Sequence, residues 1–494
     1  KINNVTSYNN CYYLKTTIIA ALLGGQAMSK KKIIIVGASH GGQEAAYEIL
    51  DRYDDVDVTI YEAGDFVSFM SCGMKLFLEG KTTGQDNVRN FTPEDLVERG
   101  GKVVNNTAVT ALDPAKKTVT VKNVKDGTTK EVSYDKLIIS SGVNPASLPL
   151  PGADLKNIML MRGYDCATEI NAAAQDEAIK NVAVIGAGNG IAAAEVFAKA
   201  GKNVTLIDGG QKPLENYLND TYTSLFEKEL TDHGVNLAMN TKVTGFVGNG
   251  KVNAVQTDKG DITADCVIIT VGIKPNTDWL KNTIDLYDNG YIKVDNYFRT
   301  NVKDVYAIGD AIFPFSIPAN RRVPMPSAIA ARHEAQYVVE HLFEDKPERV
   351  FKGLVGAQLL EAFDLHAVTT GLSEKNAKRA GINAKETVLK SYLRPDYIPE
   401  KDNPTCYIAV VYNEDSHQIL GGSVLSSYDI SGQANVLSLA IRNKLTLEDL
   451  AEADFFFSPT YDKQWSLVNQ VAQKALGLKL TCLLYTSPSP RDLS

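Results

Sequence analysis

One pattern occurs twice in this sequence and restricts the fold more than any other feature. An apolar strand runs into a glycine-rich turn, a helix follows, and a second strand ends in an acidic residue. The first copy is KKIIIVGASHGGQEAAYEIL followed by VDVTIYE, which ends at Glu62. The second is NVAVIGAGNG, an alanine-rich helix and NVTLID, which ends at Asp208. Such units build parallel sheets that bind dinucleotides, so the sequence predicts an α/β fold with two Rossmann-like domains.

In the first turn, small residues occupy the positions that a bound pyrophosphate requires. Gly37, Ser39 and Gly42 stand at the three small-residue positions of the dinucleotide fingerprint. Their size lets backbone N–H groups at a helix N-terminus approach the pyrophosphate. Glu62 is placed to accept hydrogen bonds from a ribose. These four residues are therefore predicted to bind a dinucleotide.

The second turn has an irregular spacing. Gly186 and Gly188 are followed by Gly190, one residue short of the usual pattern. Either the turn is one residue shorter, or Ile191 stands where the third glycine belongs. Asp208 would accept from a free 2′-hydroxyl and repel a 2′-phosphate, which favours NADH over NADPH. Two units indicate one bound cofactor and one visiting cofactor that exchange electrons. The alternative is a decayed second Rossmann domain that serves only as a scaffold.

A lone cysteine follows the first unit. The stretch VSFMSCGM contains Cys72, followed by Gly73, and the run from Lys75 to Gly80 is expected to open a helix. No second cysteine stands at CxxC spacing, so a local dithiol is not predicted. A thiol at a helix N-terminus is expected to have a lowered pKa. A lone thiolate beside a cofactor suits oxidation to sulfenic acid and re-reduction; the alternative is a buried structural cysteine.

Composition narrows the possible partners. The chain has 494 residues, a net charge of -8 and an isoelectric point near 5.5, which argues against nucleic acid and anionic membranes as partners. No apolar run is long enough to cross a membrane. The 6 cysteines show neither disulfide nor zinc spacing, so no metal site is predicted and a reducing, cytoplasmic location is expected.

Both ends of the sequence look foreign to the fold. Residues 1–27 precede a methionine and are rich in Asn, Tyr and Thr. Their short apolar run resembles a weak signal peptide, but translated upstream sequence is the favoured interpretation, because an unpaired working thiol fits the cytoplasm better. Residues 479–494 end in LLYTSPSPRDLS, which looks like translated vector sequence. Both ends are left out of the fold prediction and are expected to be poorly ordered.

Other segments are expected to return to the site or to form an interface. The strands in Tyr134 to Pro145 and in Ala264 to Asn276 each end in Gly-x-x-Pro, where the chain would cross between domains. Asp310, after the strand of VYAIGDA, can aim a carboxylate at cofactor hydroxyls or cap a helix. The segment ADFFFSPTYDKQW, Ala453 to Trp465, is too apolar for a free surface. A subunit interface is favoured there, and burial in the core of one subunit is the alternative.

These motifs together resemble a known family. GASHGGQE, SFMSCGM, LIISSG, LMRG, TVGIKPNT, YAIGDA and ADFFFSPTYDKQW are similar to the NADH peroxidase and NADH oxidase branch of the pyridine nucleotide–disulfide oxidoreductases, from Met28 to about Leu478. The resemblance implies an FAD-binding domain in residues 28–151 and 274–345, and an NAD-binding domain in residues 152–273. It implies a C-terminal α+β interface domain in residues 346–478, a homodimer or homotetramer, and one cysteine that cycles between thiolate and sulfenic acid.

The resemblance also implies roles for individual residues. Cys72 matches the redox cysteine and His40 the histidine beside its sulfur. Glu44 and Arg332 match a carboxylate–arginine pair near the active site, and Glu44 lies one helical turn after His40. The residues implied for FAD are Gly37, Ser39, His40, Gly42, Glu62, Cys72, Ser140, Ser141, Gly142, Val143, Arg162, Asp310 and Ala328. Those implied for NADH are Gly186, Gly188, Gly190, Asp208, Tyr217 and Gly272.

The activity that the resemblance implies is reduction of hydrogen peroxide or oxygen to water by NADH, with FAD as cofactor. GASHGGQE and LMRG are closer to the peroxidase members. One alternative is a coenzyme A disulfide reductase, in which the single cysteine forms a mixed disulfide with coenzyme A. Another is a flavin-bearing redox sensor or scaffold that turns over poorly. It is motivated by the short turn and by Asn189, which stands where the family has an aromatic residue that covers the flavin.

Overall fold

The computed structural model describes residues 29–84, 87–89 and 92–478. The predictions for residues 1–27 and 479–494 lie outside these residues. The helices are α1 His40–Arg52, α2 Met74–Leu78, α3 Pro93–Glu98, α4 Gly163–Gln175, α5 Gly190–Lys199, α6 Asp220–Asp232, α7 Ala328–Glu340, α8 Glu374–Arg379, α9 Ser431–Arg442, α10 Leu447–Glu452 and α11 Leu467–Ala475. No helix among the described residues has both the length and the apolarity needed to cross a bilayer.

The strands fall into parallel, antiparallel and short two-stranded groups. In chain order they are β1 Lys31–Val36, β2 Val56–Tyr61, β3 Lys102–Val104, β4 Thr107–Asp113, β5 Thr118–Asn123, β6 Thr129–Ser133, β7 Lys136–Ile139, β8 Val143–Pro145, β9 Ile158–Leu160, β10 Asn181–Ile185, β11 Asn203–Ile207, β12 Asn236–Ala238, β13 Val243–Asn249, β14 Lys251–Thr257, β15 Ile262–Thr263, β16 Cys266–Ile269, β17 Ile273–Pro275, β18 Val305–Ala307, β19 Phe315–Ser316, β20 Arg321–Arg322, β21 Ala357–Ala362, β22 Leu365–Gly371, β23 Ala384–Tyr392, β24 Thr405–Asn413 and β25 Ile419–Ser426.

Two parallel sheets confirm the predicted α/β fold. The first has the strand order β18-β7-β1-β2-β3 and the second β12-β11-β10-β16-β9. Their strands are short apolar runs, as expected for strands that are covered on both faces. Ile33, Ile35 and Leu137 in the first sheet are fully buried, as are Val184 and Leu206 in the second. Helices α1 and α7 pack against each other at the first sheet.

Helix α1 begins earlier than the sequence indicates. A helix from Gln43 was expected, because Gly41 and Gly42 were assigned to the turn. The structure starts the helix at His40, with Ser39 in an extended conformation as its N-cap. Both glycines therefore lie in the first helical turn. A Cβ on Gly41 would lie 2.9 Å from the Ser140 hydroxyl, and one on Gly42 would lie 1.9 Å from the carbonyl oxygen of Gly37.

The two Gly-x-x-Pro segments pair with each other. Strands β8 and β17 form an antiparallel pair in which Pro145 lies opposite Ile273 and Val143 lies opposite Pro275. The amide of Ala146 also donates to the carbonyl of Gly272 over 2.9 Å. Each segment follows the last strand of its own βαβ-containing region. The pair therefore links the ends of β7 and β16, and it brings the two parallel sheets together at the carboxyl ends of these strands.

The C-terminal region is an antiparallel sheet with helices, which agrees with the predicted α+β character. Its strand order is β21-β22-β25-β24-β23, and α9, α10 and α11 lie around it. The aromatic segment is mostly on the surface of the single chain: Phe456 is 73% exposed, and Phe457, Tyr461 and Trp465 are also exposed. Only Phe455 packs against the core. The alternative that this segment is core of one subunit is therefore wrong for these four residues.

Candidate active site

The first glycine turn forms a tight backbone cradle. Gly37 has a φ of +95°, and a Cβ there would lie 2.4 Å from the carbonyl oxygen of Ser140. A Cβ on Gly42 would lie 1.9 Å from the carbonyl oxygen of Gly37. The Glu62 carboxylate accepts hydrogen bonds of 2.8 Å from the amides of Ala38 and Gly64. Only glycine therefore fits at positions 37 and 42, and the Glu62 carboxylate closes the turn.

The second turn repeats this plan at Asp208. Its carboxylate accepts hydrogen bonds from the amide of Ala187 over 2.6 Å and from the amide of Gly210 over 2.7 Å. Gly186 has a φ of +108°, and a Cβ there would lie 2.7 Å from the Thr270 hydroxyl. The two acidic residues therefore hold equivalent places, and each is fixed by the backbone of its own turn.

The second turn has the same length as the first. A Cβ on Gly190 would lie 2.6 Å from the Thr270 hydroxyl, as a Cβ on Gly41 would lie 2.9 Å from the Ser140 hydroxyl. Ser140 and Thr270 hold equivalent places, because their amides donate to the last residues of β1 and β10. Gly190 therefore corresponds to Gly41. Of the two interpretations drawn from the sequence, the one observed has Ile191, whose side chain is buried, in the place of the third glycine.

Cys72 lies in a single 3-10 turn, Ser71–Gly73, directly before α2. The residue is exposed, and its thiol shares three charged neighbours with His40: Arg162, Asp310 and Arg332 all act on both groups. Arg162 and Asp310 form an ion pair of 2.8 Å. The structure thus brings together, from four separate parts of the chain, the residues predicted around the redox cysteine.

The expectation of a lowered thiol pKa is wrong for this structure. Although Cys72 is exposed as a residue, protein atoms around its sulfur desolvate it, and desolvation together with Asp310 raises the pKa of the thiol. Arg162 and Arg332 act in the lowering direction and only partly offset this. Helix α2 spans only Met74–Leu78, and so short a helix has a weak dipole.

The imidazole of His40 is held neutral. Desolvation and the charge of Arg332 lower the pKa of its imidazole, against the raising effect of Asp310. Both ring nitrogens are buried without a hydrogen-bond partner among the described residues. A buried polar atom without a partner is uncommon in proteins. The ring therefore has free hydrogen-bonding capacity for a bound molecule or for the sulfur.

Glu44 and Arg332 lie together, as the resemblance implies. Nη1 of Arg332 is 3.4 Å from Oε2 of Glu44. Gln336, one turn after Arg332 on α7, donates to the other oxygen of Glu44 over 2.8 Å. Side-chain contacts therefore join α1 and α7 at Glu44, which lies one helical turn after His40. The role of Gln336 was not predicted, although its spacing from Arg332 on the helix is visible in the sequence.

The remaining predicted residues lie along the ends of the parallel strands. Ser140 and Val143 are buried, and the hydroxyl of Ser141 is buried without a hydrogen-bond partner within the described part of the chain. Two of the others are glycines with positive φ: Gly142 has a φ of +62° and Gly272 a φ of +141°. Ala328 is the first residue of α7. Tyr217 lies beside the second turn, 3.5 Å from where a Cβ on Gly188 would stand.

One buried acid was missed by the sequence analysis. Glu334, on α7, is 1% exposed and accepts a hydrogen bond of 2.6 Å from the amide of Gly309, next to Asp310. Desolvation, assisted by Asp310, raises the pKa of this carboxyl to about 8. The signal available in the sequence was a glutamate on the apolar face of a helix in AIAARHEAQYVVE.

The residues around the first turn fit a dinucleotide such as FAD. A Cβ on Gly37 or Gly42 would collide with backbone, and the Glu62 carboxylate lies at the edge of the turn. His40 lies within the turn and Ser141 lies against Gly37, and both have side-chain polar atoms without a partner among the described residues. A helix N-terminus with free amides completes the arrangement. The chemistry of this set of donors matches a pyrophosphate, a ribose and a polar ring system.

Comparisons with known proteins agree with this site. Residues 31–335 match the pyridine nucleotide-disulphide oxidoreductase family, and residues 362–467 match the dimerisation domain of that family. An NADH oxidase of Enterococcus faecalis is 38% identical, with 89% of this chain and 98% of the relative covered. An NAD(P)H coenzyme A polysulfide/persulfide reductase of Pyrococcus horikoshii is 29% identical, with 87% and 95% covered.

A solved structure shows the same fold. The water-forming NADH oxidase from Lactobacillus brevis bound to NADH superposes with a TM-score of 0.86 at 34% identity, and the match covers 91% of this chain and 98% of the other. The family match spans most of the chain, and the E. faecalis relative is matched over nearly its whole length. The chain belongs to the pyridine nucleotide-disulphide oxidoreductase family.

Proposed function

We propose that this protein oxidises NADH with molecular oxygen and forms water. The observation that carries the proposal is that two acid-closed glycine turns lie on two adjoining sheets, with Cys72 and its three charged neighbours beside the first. The names of the relatives favour oxygen over hydrogen peroxide. The peroxidase-like motifs GASHGGQE and LMRG therefore weigh less than the relationship of the whole chain.

Each turn would hold one dinucleotide. For FAD, the chain offers the cradle from Gly37 to Gly42, the carboxylate of Glu62, and the Arg162–Asp310 pair. When bound, FAD supplies two-electron chemistry that can exchange electrons with both NADH and oxygen. For NADH, the chain offers Gly186 and Gly188, with Asp208 at the ribose and Tyr217 beside the turn.

Cys72 would remove the peroxide that oxygen reduction produces. Its thiolate attacks one peroxide oxygen, the O–O bond breaks, and the sulfur becomes a sulfenic acid while the other oxygen leaves, with a proton, as water. Two electrons from NADH and a proton then return the sulfenic acid to the thiolate and release a second water. The neutral ring of His40 can donate to a thiolate or sulfenate, or accept from the thiol.

The test compares the products of NADH oxidation in the unaltered protein and in Cys72→Ser. We expect the unaltered protein to consume two NADH for each oxygen without releasing peroxide. Cys72→Ser should bind FAD normally, consume one NADH for each oxygen, and release hydrogen peroxide. Cys166→Ser is the matched control, since Cys166 is also partly accessible and unpaired. Water formation by Cys72→Ser would contradict the role given to this sulfur.

A coenzyme A disulfide or persulfide reductase is the second candidate. The exposure of Cys72 favours it, because a bulky thiol can reach the sulfur, and the P. horikoshii relative carries such a name. Turnover of coenzyme A disulfide by NADH under anaerobic conditions, lost in Cys72→Ser, would support it. If NADH fails to bleach the flavin in stopped-flow mixing, both enzyme proposals fall and the redox sensor or scaffold interpretation remains.

The protein is further proposed to work as a homodimer or homotetramer in the cytoplasm. The exposed aromatic residues Phe456, Phe457, Tyr461 and Trp465 lie in or beside the region that matches a dimerisation domain. Exposed apolar groups of this size are typical of subunit interfaces. Mass photometry should give a multiple of the subunit mass. Cysteines without disulfide partners among the described residues are consistent with a reducing compartment.

A further inference from the structure

Three distant parts of the chain meet at one buried carboxylate. Glu195, on α5, is 0% exposed. Nζ of Lys75, on α2, lies 2.9 Å from its Oε2, as an ion pair and not as an aligned hydrogen bond. Nζ of Lys199 lies 2.5 Å from its Oε1. The backbone amide of Phe363, in the tip of the β21–β22 hairpin, lies close enough to this carboxylate to lower its pKa. Glu195 therefore joins α2, α5 and the C-terminal sheet.

The charge of this carboxylate depends on its partners. Desolvation acts to raise the pKa of Glu195, but the hydrogen bond from Lys199 and the interaction with Lys75 outweigh it, and the pKa is lowered overall. Glu195 is therefore ionised at neutral pH. Removal of one partner from a buried ion pair leaves an uncompensated charge, which is far more damaging than the loss of a surface pair. The contact is therefore a strong link between α2, α5 and the β21–β22 hairpin.

The hairpin tip is itself firmly held. The ring of Phe363 stacks on His233 of α6, with centroids 3.9 Å apart and planes at 7°. The amide of Asp364 donates to Glu229 of α6 over 3.1 Å. On the near side, Glu361 accepts from Nζ of Lys75 over 2.8 Å. Lys75 is therefore clamped between α5 and a hairpin that is anchored on α6.

The clamp lies between the two functional sites. Lys75 follows Cys72 by three positions, and α2 begins directly after the turn that contains Cys72. Glu195 lies on α5, which begins at Gly190, the last glycine of the second turn. An α-helix transmits displacement along its axis because its turns are hydrogen-bonded to one another. Glu195 and Lys75 therefore form a continuous contact path from the helix that begins at Gly190 to the segment that holds Cys72.

We propose that Glu195 is a positioning residue that couples occupancy of the second glycine turn by NADH or NAD⁺ to the orientation of Cys72. The inference rests on the proposed function, since it takes a nicotinamide dinucleotide to bind at that turn. Glu195 touches neither the dinucleotide nor the sulfur. It acts through Lys75, and the hairpin tip provides the fixed support.

The test measures how NAD⁺ changes the alkylation rate of Cys72. The FAD-loaded protein is treated with iodoacetamide, with and without saturating NAD⁺, and labelling of Cys72 is followed by peptide mass spectrometry. Glu195→Gln and Lys75→Met each break the link, and the second keeps the test available if the first does not fold. Lys81→Met is the matched control, because Nζ of Lys81 pairs with Glu79 at 2.9 Å on the exposed side of the same cluster.

We expect NAD⁺ to change the labelling rate about fivefold in the unaltered protein and in Lys81→Met. The change should be lost in Glu195→Gln and in Lys75→Met, with the KM for NADH nearly unchanged. An equal change in Glu195→Gln, or none in the unaltered protein, would overturn the inference. Calorimetry of NAD⁺ binding separates the two proposals: binding without coupling refutes the inference alone, whereas absence of binding refutes the proposed function with it.

Discussion

The two glycine turns share a plan but differ in how closely they pack. In the first, the helix starts against the backbone of the turn, so that a Cβ on Gly42 would meet the carbonyl oxygen of Gly37 at 1.9 Å. In the second, Ile191 stands in the place of Gly42, and its side chain is buried in the core. The third position of the second turn therefore accepts a branched side chain where the first turn accepts none.

Each unit also contains a buried acid, and the two acids are stabilised in opposite ways. Glu334, beside the first turn, forms no ion pair within the described residues and accepts one amide hydrogen bond, and its pKa is raised to about 8. Glu195, on the helix of the second turn, is paired with two lysines, and its pKa is lowered. Burial alone therefore does not decide the charge of a carboxyl; the neighbouring cations do.

The largest expected effect separates Gly42 from Gly190, the glycine at the start of α5. Gly42→Ala should destabilise the protein by about 5 kcal/mol and abolish FAD binding, because the new methyl collides with backbone that cannot rotate away. Gly190→Ala should cost about 2 kcal/mol, because the Thr270 hydroxyl and the Val184 methyl that the new Cβ would meet can shift. Urea unfolding and the flavin content of purified protein measure both. Equal losses would show that the side chains around Gly190 yield as little as the backbone around Gly42.

The two buried acids should respond to pH in opposite directions. The pKa of Glu334 is raised in the fold, so its contribution is present below its unfolded pKa and is lost as pH rises through about 8. Glu334→Gln should therefore gain stability relative to the unaltered protein between about pH 5 and pH 9, on the order of 4 kcal/mol at about 1.4 kcal/mol per unit.

Glu195→Gln provides the contrast to this variant. The pKa of Glu195 is lowered in the fold, so its contribution is present above its unfolded pKa and is lost as pH falls through the folded value. The deficit of Glu195→Gln should therefore be full at neutral pH and shrink in acid. Thermal unfolding across pH checks both variants, and parallel profiles would refute the contrast.

Sequence reasoning found the sheets more readily than the site. Apolar runs such as KKIIIV predict buried parallel strands, because the residues of a strand that is covered on both faces are mostly apolar. The pKa of Cys72 was predicted in the wrong direction because it depends on desolvation by the surrounding protein atoms and on Asp310, a neighbour distant in sequence. Glu334 was missed for the same reason, since its partner Gly309 lies on another element. Groups brought together by long-range packing leave no local pattern.

Variants of the two acidic residues that close the turns should each weaken the binding of one cofactor only. Asp208→Asn should weaken NADH binding about tenfold, or about 1.4 kcal/mol, because a charged acceptor is lost. It should leave FAD content unchanged and lower the ratio of the affinity for NADH to the affinity for NADPH. Glu62→Gln is the matched variant in the first turn, and it should lower FAD affinity while NADH binding by the remaining holoprotein is kept. An unchanged KM for NADH in Asp208→Asn would contradict the assignment of the second turn.

The smallest expected effect is at the middle position of the second turn. The first turn has Ser39 where the second has Gly188, and a Cβ on Gly188 would lie 3.5 Å from Tyr217, an ordinary contact. Gly188→Ser should therefore change the free energy of unfolding by less than about 0.5 kcal/mol. Gly186→Ser is the control that should fail, because Gly186 has a φ of +108° and its Cβ would meet Thr270. Urea unfolding measures the stability of both variants. A severe loss in Gly188→Ser would mean that the second turn tolerates a side chain less well than the first at its middle position, the reverse of the difference at the third position.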